Sequence, residues 1–429
     1  MLDEIVIHGG GYVGLTAAVH YAKQGVKVTI YDPDPKTVLG INSGAPRGGD
    51  FLNYLHDDLC KVIDTQYLKA TSIFSNVVSC PVHSIAVPTE KDGEPYDAIV
   101  LASVYAILKA SVCVKPLIII ESTLSPGVVD KILATANMLA GTDFNLAVCP
   151  RRDWFADKTK NLGNLQRVVG GVTPDCTARA CQALAAVTPP ELMMPTTYSV
   201  AELCKALENS LLHVQVMLAE EVALCLHDKD VAEALRLAGT HWRLAPLHLS
   251  FGTGGRCVPL GTKYLTLAMT EAGYNPLVST AATKMDAAMR MCMAQQVARH
   301  MDTEEDQSLI LGIGYRPDFR DAGNSPGLAI AEHLAENHFP VSICDPLWRP
   351  EELALFLKAA AVAFSPNPIF KIILLATAHT AFLDLPRDPS LWRAGQYVLD
   401  GTGAWKKYEH LFKEYGVEYH LIGEPGWIS

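Results

Sequence analysis

Residues 4–32, EIVIHGGGYVGLTAAVHYAKQGVKVTIYD, decide the fold. The apolar start reads as a short buried strand. Gly9, Gly11 and Gly14 then complete G-x-G-x-x-G. In that pattern the first glycine permits the tight turn, the second lets a pyrophosphate approach, and the third lets helix pack on strand. A helix predicted over 12–24 opens on Tyr12 and Val13 and aims its free N–H groups at the phosphates. A second strand ends at Asp32, whose carboxylate can accept from a ribose 2′-hydroxyl. Asp34 adds negative charge and no Arg follows directly, so NAD is favoured over NADP.

Working outward, further strands are expected at 84–87, 98–102, 117–121 and 146–149. The first ends in Pro88-Thr89, the third in Ser122-Thr123, and the last in Pro150. Ligands lie at the carboxyl ends of strands in open α/β sheets. Thr89 and Thr123 are therefore candidate contacts for cofactor or substrate; capping the next helix is the plainer alternative.

The rest of the chain fits a large two- or three-domain protein. It has 429 residues, 49% of them hydrophobic and 19% charged, and a net charge of −11. That balance argues against a nucleic-acid partner, and an anionic ligand would need a local basic pocket. Eleven cysteines lie scattered without C-x-x-C spacing, which fits reduced thiols in a cytosol and gives no metal site. No apolar run is long enough to cross a bilayer, and the N-terminus runs straight into a strand without a signal-peptide pattern. A soluble cytoplasmic protein is expected, with no membrane partner.

Residues 251–265, FGTGGRCVPLGTKYL, carry the chemistry. Phe251, Gly252, Gly254 and Gly255 form a loop that can lie close to a ligand. Cys257 follows as a candidate nucleophile, and Pro259 is expected to delay the next helix. A buried thiol beside a glycine turn is the competing reading. Upstream, Ser199-Val200-Ala201-Glu202 reads as a capping box opening a long helix to about His227. Leu203, Leu207, Leu211, Val214, Leu218 and Val222 repeat at helical spacing. Lys205 and Asn209 share a face, where a cation and an amide can support an oxyanion; a solvated helix face is the alternative. The helix is long enough for a dimer spine. A second α/β unit begins near Ser308, with strands expected at 341–344, 372–376 and 397–399. Its glycine turn does not complete the dinucleotide pattern. The fold expected is α/β: two Rossmann-like doubly wound domains, 1–198 and 301–429, joined by a central helical domain, 199–300.

In this order the motifs resemble those of the UDP-glucose/GDP-mannose dehydrogenase family, over nearly the whole chain. GGGYVGL, VPT at 87–89, ESTLSPG, RVVGGVTP, AELCKALENS, HWRLAPLHLSFGTGGRC and Ser325-Pro326 carry the likeness. It is closest to the branch acting on UDP-N-acetylmannosamine and related sugars. The resemblance implies an NAD-dependent, four-electron oxidation of a sugar C6 alcohol to a carboxylate, with Cys257 holding the intermediate. Lys205 and Asn209 match the residues that stabilise its oxyanion, and Thr123 one that orders water. Arg243 and Arg316 match substrate contacts, the first often made across a homodimer. Phe251 and Gly254 fall in the same substrate loop. Three positions depart from the family pattern: Arg151 replaces a Glu in a CPER-like run, Gly261 an Asp, and Gly323 an Arg. Slow thioester hydrolysis and added positive charge beside the sugar are the expected consequences. The alternatives are a relative that removes two electrons, from a nucleotide sugar or another anionic alcohol, and a non-catalytic nucleotide-sugar binder.

Overall fold

The computed structural model describes residues 2–46, 55–154, 157, 159–301, 303, 306–357 and 370–428. They divide into two compact units. One comprises Met1–Glu208 with Lys263–Tyr274; the other comprises Asn209–Thr262 with Asn275–Ser429.

The first unit runs β1 (Glu4–His8), α1 (Tyr12–Lys23), β2 (Lys27–Tyr31), α2 (Pro35–Asn42), α3 (His56–Asp64), β3 (Leu68–Thr71) and β4 (Val82–Ile85). It continues through a small hairpin, β5 (Glu90–Lys91) and β6 (Glu94–Pro95), to α4 (Ala98–Ala110), β7 (Leu117–Ile120) and α5 (Val128–Thr135). Then come β8 (Asn145–Val148), β9 (Arg167–Gly171), α6 (Pro174–Leu184) and β10 (Met193–Thr197). Eight strands form one sheet in the order β10-β9-β8-β7-β4-β1-β2-β3. All neighbours are parallel except β8 and β9. Helices cover both faces, so the central strands are apolar throughout: all of Leu-Ile-Ile-Ile in β7 is buried. The chain order reverses between β1 and β4, and the crevice above that pair is where such sheets bind ligands.

Two long helices pass from one unit into the other: α7 (Tyr198–Cys225) and, after α8 (Val231–Ala238), α9 (Cys257–Glu271). The second unit continues with α10 (Leu277–Arg299), β11 (Gln307–Leu311), α11 (Pro326–Glu336), β12 (Val341–Cys344) and α12 (Pro350–Leu357). It closes with β13 (Phe370–Leu375), β14 (Tyr397–Asp400), α13 (Glu409–Tyr415) and β15 (Glu418–Leu421). Its five strands are all parallel, ordered β12-β11-β13-β14-β15. Ile310, Ile343, Leu374 and Leu399 from that sheet share a core with Met289 and Met293 of α10 and with Trp427. The expected α/β class, with two mainly parallel sheets and helices between the strands in sequence, is the one observed.

Three sequence expectations are corrected. Residues 98–102 are the first turns of α4, not a strand. The run Ala-Ile-Val-Leu-Ala looks β-like alone, but Val100, Val104 and Ile107 bury one helical face. Glu202 does not cap its own helix, which already begins at Tyr198. Its carboxylate instead accepts from the amides of Gly127 (3.0 Å) and Val129 (2.9 Å) at the start of α5. Burial pushes this carboxyl up to about 7, against the pull of those two amides. Pro259 does not delay a helix: α9 starts at Cys257, and a proline in the first turn removes an N–H that has no helical partner.

Directly before the glycine turn, buried His8 Nε2 and His83 Nδ1 lie 3.0 Å apart. Burial, first of all, pushes both imidazoles well below their ordinary value. An unfolded chain protonates them near pH 6.5 while the folded one does not. Their neutral burial is therefore harmless above about pH 6.5, and stability is lost as pH falls below it. By pH 5 each contributes a loss of about 2 kcal/mol. Thermal unfolding should show a clearly lower midpoint at pH 5.0 than at 7.5, with the difference reduced in a His8→Val/His83→Val variant. Equal midpoints in the wild type would contradict this.

Candidate active site

At the sheet's switch point, each fingerprint glycine meets a different demand. Gly9 has φ +103°, and a Cβ there would sit 2.3 Å from Ala86 O. At Gly14 a Cβ would fall 1.9 Å from Gly9 O, so only glycine lets α1 pack this closely. A Cβ on Gly11, by contrast, meets nothing within 4 Å. That open space, over the start of α1 with no side-chain cap, is where a pyrophosphate fits. Asp32 shapes the turn by accepting from Gly10 N (2.8 Å) and Asp34 N (3.0 Å). Carboxylate oxygens have further lone pairs for ribose hydroxyls. The residues present fit a bound dinucleotide.

Thr123 lies half-buried just after β7. Thr89 is buried, and its hydroxyl and carbonyl both take the Tyr264 hydroxyl, at 2.5 and 2.6 Å. Tyr264 stands midway along α9 and was invisible as a site residue in the sequence; only its proximity to Cys257 marked it.

Arg151 is turned inward, which overturns the expectation of a charge beside the sugar. Its guanidinium is buried and grips Asp153 through Nε (2.5 Å) and Nη2 (2.6 Å), and Glu121 through Nη1 (3.0 Å). Glu121 also accepts from buried Arg167 (2.9 Å). Arg151 Nη1 donates to Val13 O (2.9 Å) as well, so the cluster braces the first turn of α1. Burial works against ionisation of Asp153, but the Arg151 charge prevails and holds it below the usual range.

In the second unit Cys257 is exposed and is the first residue of α9. The glycines before it make room for protein rather than for a ligand. A Cβ on Gly252 (φ +119°) would lie 2.9 Å from Asp286 Oδ1, and one on Gly254 2.7 Å from Tyr315 Cβ. Phe251 is 2% exposed, its ring against Gly401. It anchors the loop, and any substrate contact from it must come from backbone. One turn beyond Cys257, a Cβ on Gly261 would fall 2.4 Å from Asn209 Cβ. The missing acid has thus left space that Asn209 fills, close to the start of α9. Lys205, half-buried, stands one turn before Asn209 on α7. At Gly323 a Cβ would lie 2.8 Å from Arg256 Nε, so the neighbour of Cys257 spans that place. Arg316 lies over Phe319 at 5.4 Å, and exposed Arg243 over Trp242 at 4.6 Å. No group of His, Cys, Asp or Glu able to hold a metal occurs among the described residues. No helix there is long and apolar enough to cross a membrane.

A glycine turn built for a dinucleotide, on the first of two α/β units, defines a dinucleotide-binding protein of the two-Rossmann type. Residues 3–187 match the NAD binding domain of the UDP-glucose/GDP-mannose dehydrogenase family, 199–288 its central domain and 309–407 its UDP binding domain. The chain belongs to that family and is an NAD-dependent dehydrogenase. It is 26% identical over 442 residues to the UDP-N-acetyl-D-mannosamine dehydrogenase of Methanococcus aeolicus, covering 100% of this chain and 97% of that one. To the enzyme of the same name from Yersinia pestis it is 29% identical, covering 94% and 99%. Among solved structures, the UDP-D-ManNAc dehydrogenase of Pyrococcus horikoshii superposes with a TM-score of 0.81 at 24% identity, covering 98% and 99%.

Proposed function

We propose that the protein oxidises the C6 alcohol of a UDP-sugar, of the UDP-N-acetylhexosamine or UDP-glucose type, to the uronic acid. The presentation of Cys257 carries this reading: an exposed thiol at the first residue of α9, behind a loop whose glycines seat it on protein. NAD, when bound, supplies the hydride acceptor. Loss of a hydride and a proton from the alcohol leaves an aldehyde. The Cys257 sulfur adds to that carbon and the oxygen takes up a proton, giving a thiohemiacetal. Loss of a second hydride and a proton gives a thioester. Water then breaks the C–S bond, releasing the acid and returning the thiol. Lys205 and Asn209 stabilise the negative oxygen, and Thr123 orders water. Residues 1–198 serve the cofactor and 301–429 the nucleotide, with Arg316 and the backbone at Phe251 and Gly254 beside the sugar nucleotide. Thr89 contacts the cofactor.

The active form in this reading is a homodimer in the cytoplasm, with Arg243 reaching the partner's substrate. Leu203, Leu207, Leu211 and Leu218 support the dimer: they are 39–61% exposed along one face of α7. A second copy would cover that stripe. Sedimentation at micromolar concentration should find a dimer, and a monomer alone would defeat this part.

The test is NADH formation against a panel of UDP-, GDP- and dTDP-sugars. Two NADH per UDP-sugar are expected. One NADH with free aldehyde would favour the two-electron reading, for which the inward turn of Arg151 and the bare Gly261 speak. No NADH with any sugar would refute both.

A further inference from the structure

We propose that Glu220, carrying a proton, positions the loop that presents Cys257; this rests on the reading of Cys257 as the reacting thiol. Glu220 lies on α7 and is fully buried. Its Oε1 is 2.9 Å from Ser250 Oγ, and that hydroxyl is 3.0 Å from Gly252 O. Ser250 has one hydrogen for these two oxygens. Opposite an ionised Glu220, which only accepts, it can serve one of them. When Glu220 bears a proton on Oε1, it donates to Ser250, Ser250 donates to Gly252 O, and both contacts are made.

The surroundings agree with that assignment. Glu220 Oε2 has no hydrogen-bond partner among the described residues, which a buried carboxylate tolerates poorly. The charged groups acting on it, Asp286 and Arg290, both come from α10 and have opposite signs. His213, two turns earlier on α7, bonds Thr262 of α9 and lies 3.8 Å from Asp286. From the loop come the Ser250 hydroxyl and the Gly252 amide. Burial, with help from Asp286, pushes this carboxyl up to about 8 against Ser250, Gly252 and Arg290. The proton is therefore held at neutral pH and lost in mild alkali.

Other parts of the loop are fixed independently. Thr253 N donates to Asp286 (2.8 Å), and Thr253 O accepts from Arg290 (2.7 Å) and Asn324 (3.0 Å). Gly255 N donates to Gly323 O (3.1 Å). Ser250 fixes Gly252, which sits at φ +119° five residues before Cys257. When Glu220 ionises, the Ser250 hydrogen turns to the carboxylate and Gly252 O is released; the Gly252 amide still faces the carboxylate but does not replace the bond to its carbonyl, and the first half of the loop loosens.

Hydrogen exchange of a peptide spanning 249–257 in the full chain tests this, with rates corrected for the intrinsic effect of pH. From pH 7 to pH 9 wild-type protection should fall about tenfold. Glu220→Gln should keep its protection at both pH values, because the amide donates to Ser250 throughout. Ser250→Ala should lack it at both. In turnover, the ratio of wild-type to Glu220→Gln kcat should fall over the same range. Wild-type protection that stays level, or a Gln variant that loses it as the wild type does, would overturn the proposal. If the Gln variant does not fold, equal protection of Ser250→Ala and wild type at pH 7 overturns it. Failure of the underlying reading would show differently: acid formed by Cys257→Ala, with the exchange pattern as expected.

Discussion

Cys257→Ala is expected to form no uronic acid, with overall oxidation slowed at least a thousandfold. That factor corresponds to about 4 kcal/mol of barrier. On the proposed mechanism the variant loses the atom that traps the aldehyde, and water cannot replace a sulfur whose acyl bond is itself a good acyl donor. It should yield at most one NADH per sugar, with aldehyde released. In the wild type, the inward-facing Arg151 and the side-chain-free Gly261 provide no base where the family resemblance has acids. Pre-steady-state mixing should then give an NADH burst, a slower phase, and an acyl adduct on Cys257 by intact mass. Normal acid yield from Cys257→Ala would remove Cys257 from the chemistry. A linear trace with two NADH and no adduct would show that hydrolysis is not limiting.

Arg151→Glu should destabilise the cofactor unit by about 3–5 kcal/mol or more. The change restores the residue type of the family pattern but does not restore a base. It sets a third carboxylate between Glu121 and Asp153, whose charges Arg151 now neutralises at 3.0 and 2.5 Å, and leaves Arg167 to serve all three. Val13 O at the start of α1 also loses one of its donors and keeps the Thr16 hydroxyl. With whole-domain stabilities near 5–15 kcal/mol, little folded protein should remain at 37 °C. Arg151→Met removes a charge without adding one, and should be less damaging while still weakening NAD binding. Thermal unfolding with and without NAD measures both. A Glu variant as stable as the wild type would mean that the buried cluster rearranges without cost.

The N-terminal unit was legible because its signals are local. Strand, glycine turn, helix and acid follow one another within residues 4–32, and each glycine has its own steric reason. Residues 98–102 were not, since five apolar residues have no period until Val104 and Ile107 extend the pattern. Glu202 misled because a capping-box spacing says nothing of a helix distant in sequence whose amides need an acceptor. For the Cys257 loop, sequence showed the glycines but not what they face: Asp286, Arg290, Tyr315 and Asn324 lie far along the chain. Asn324 adopts φ +52°, a conformation Asn tolerates better than most residues, and its place before Ser325-Pro326 was the faint local hint. Arg151 and Gly261 stood out as departures, yet only packing explains them, one by its carboxylate partners and the other by the bulk of Asn209.

Two of the three passages between the units fall inside helices, α7 at Glu208 and Asn209 and α9 at Thr262 and Lys263; the third, at Tyr274 and Asn275, falls between α9 and α10. Neither half can therefore be excised as one uninterrupted segment. A fragment ending at Glu208 would lack Tyr264, which holds Thr89, and Glu271, which pairs with Lys131. Anyone building a chimera to exchange the cofactor half must transplant two separate stretches, 1–208 and 263–274, and splice each in mid-helix while preserving the helical phase.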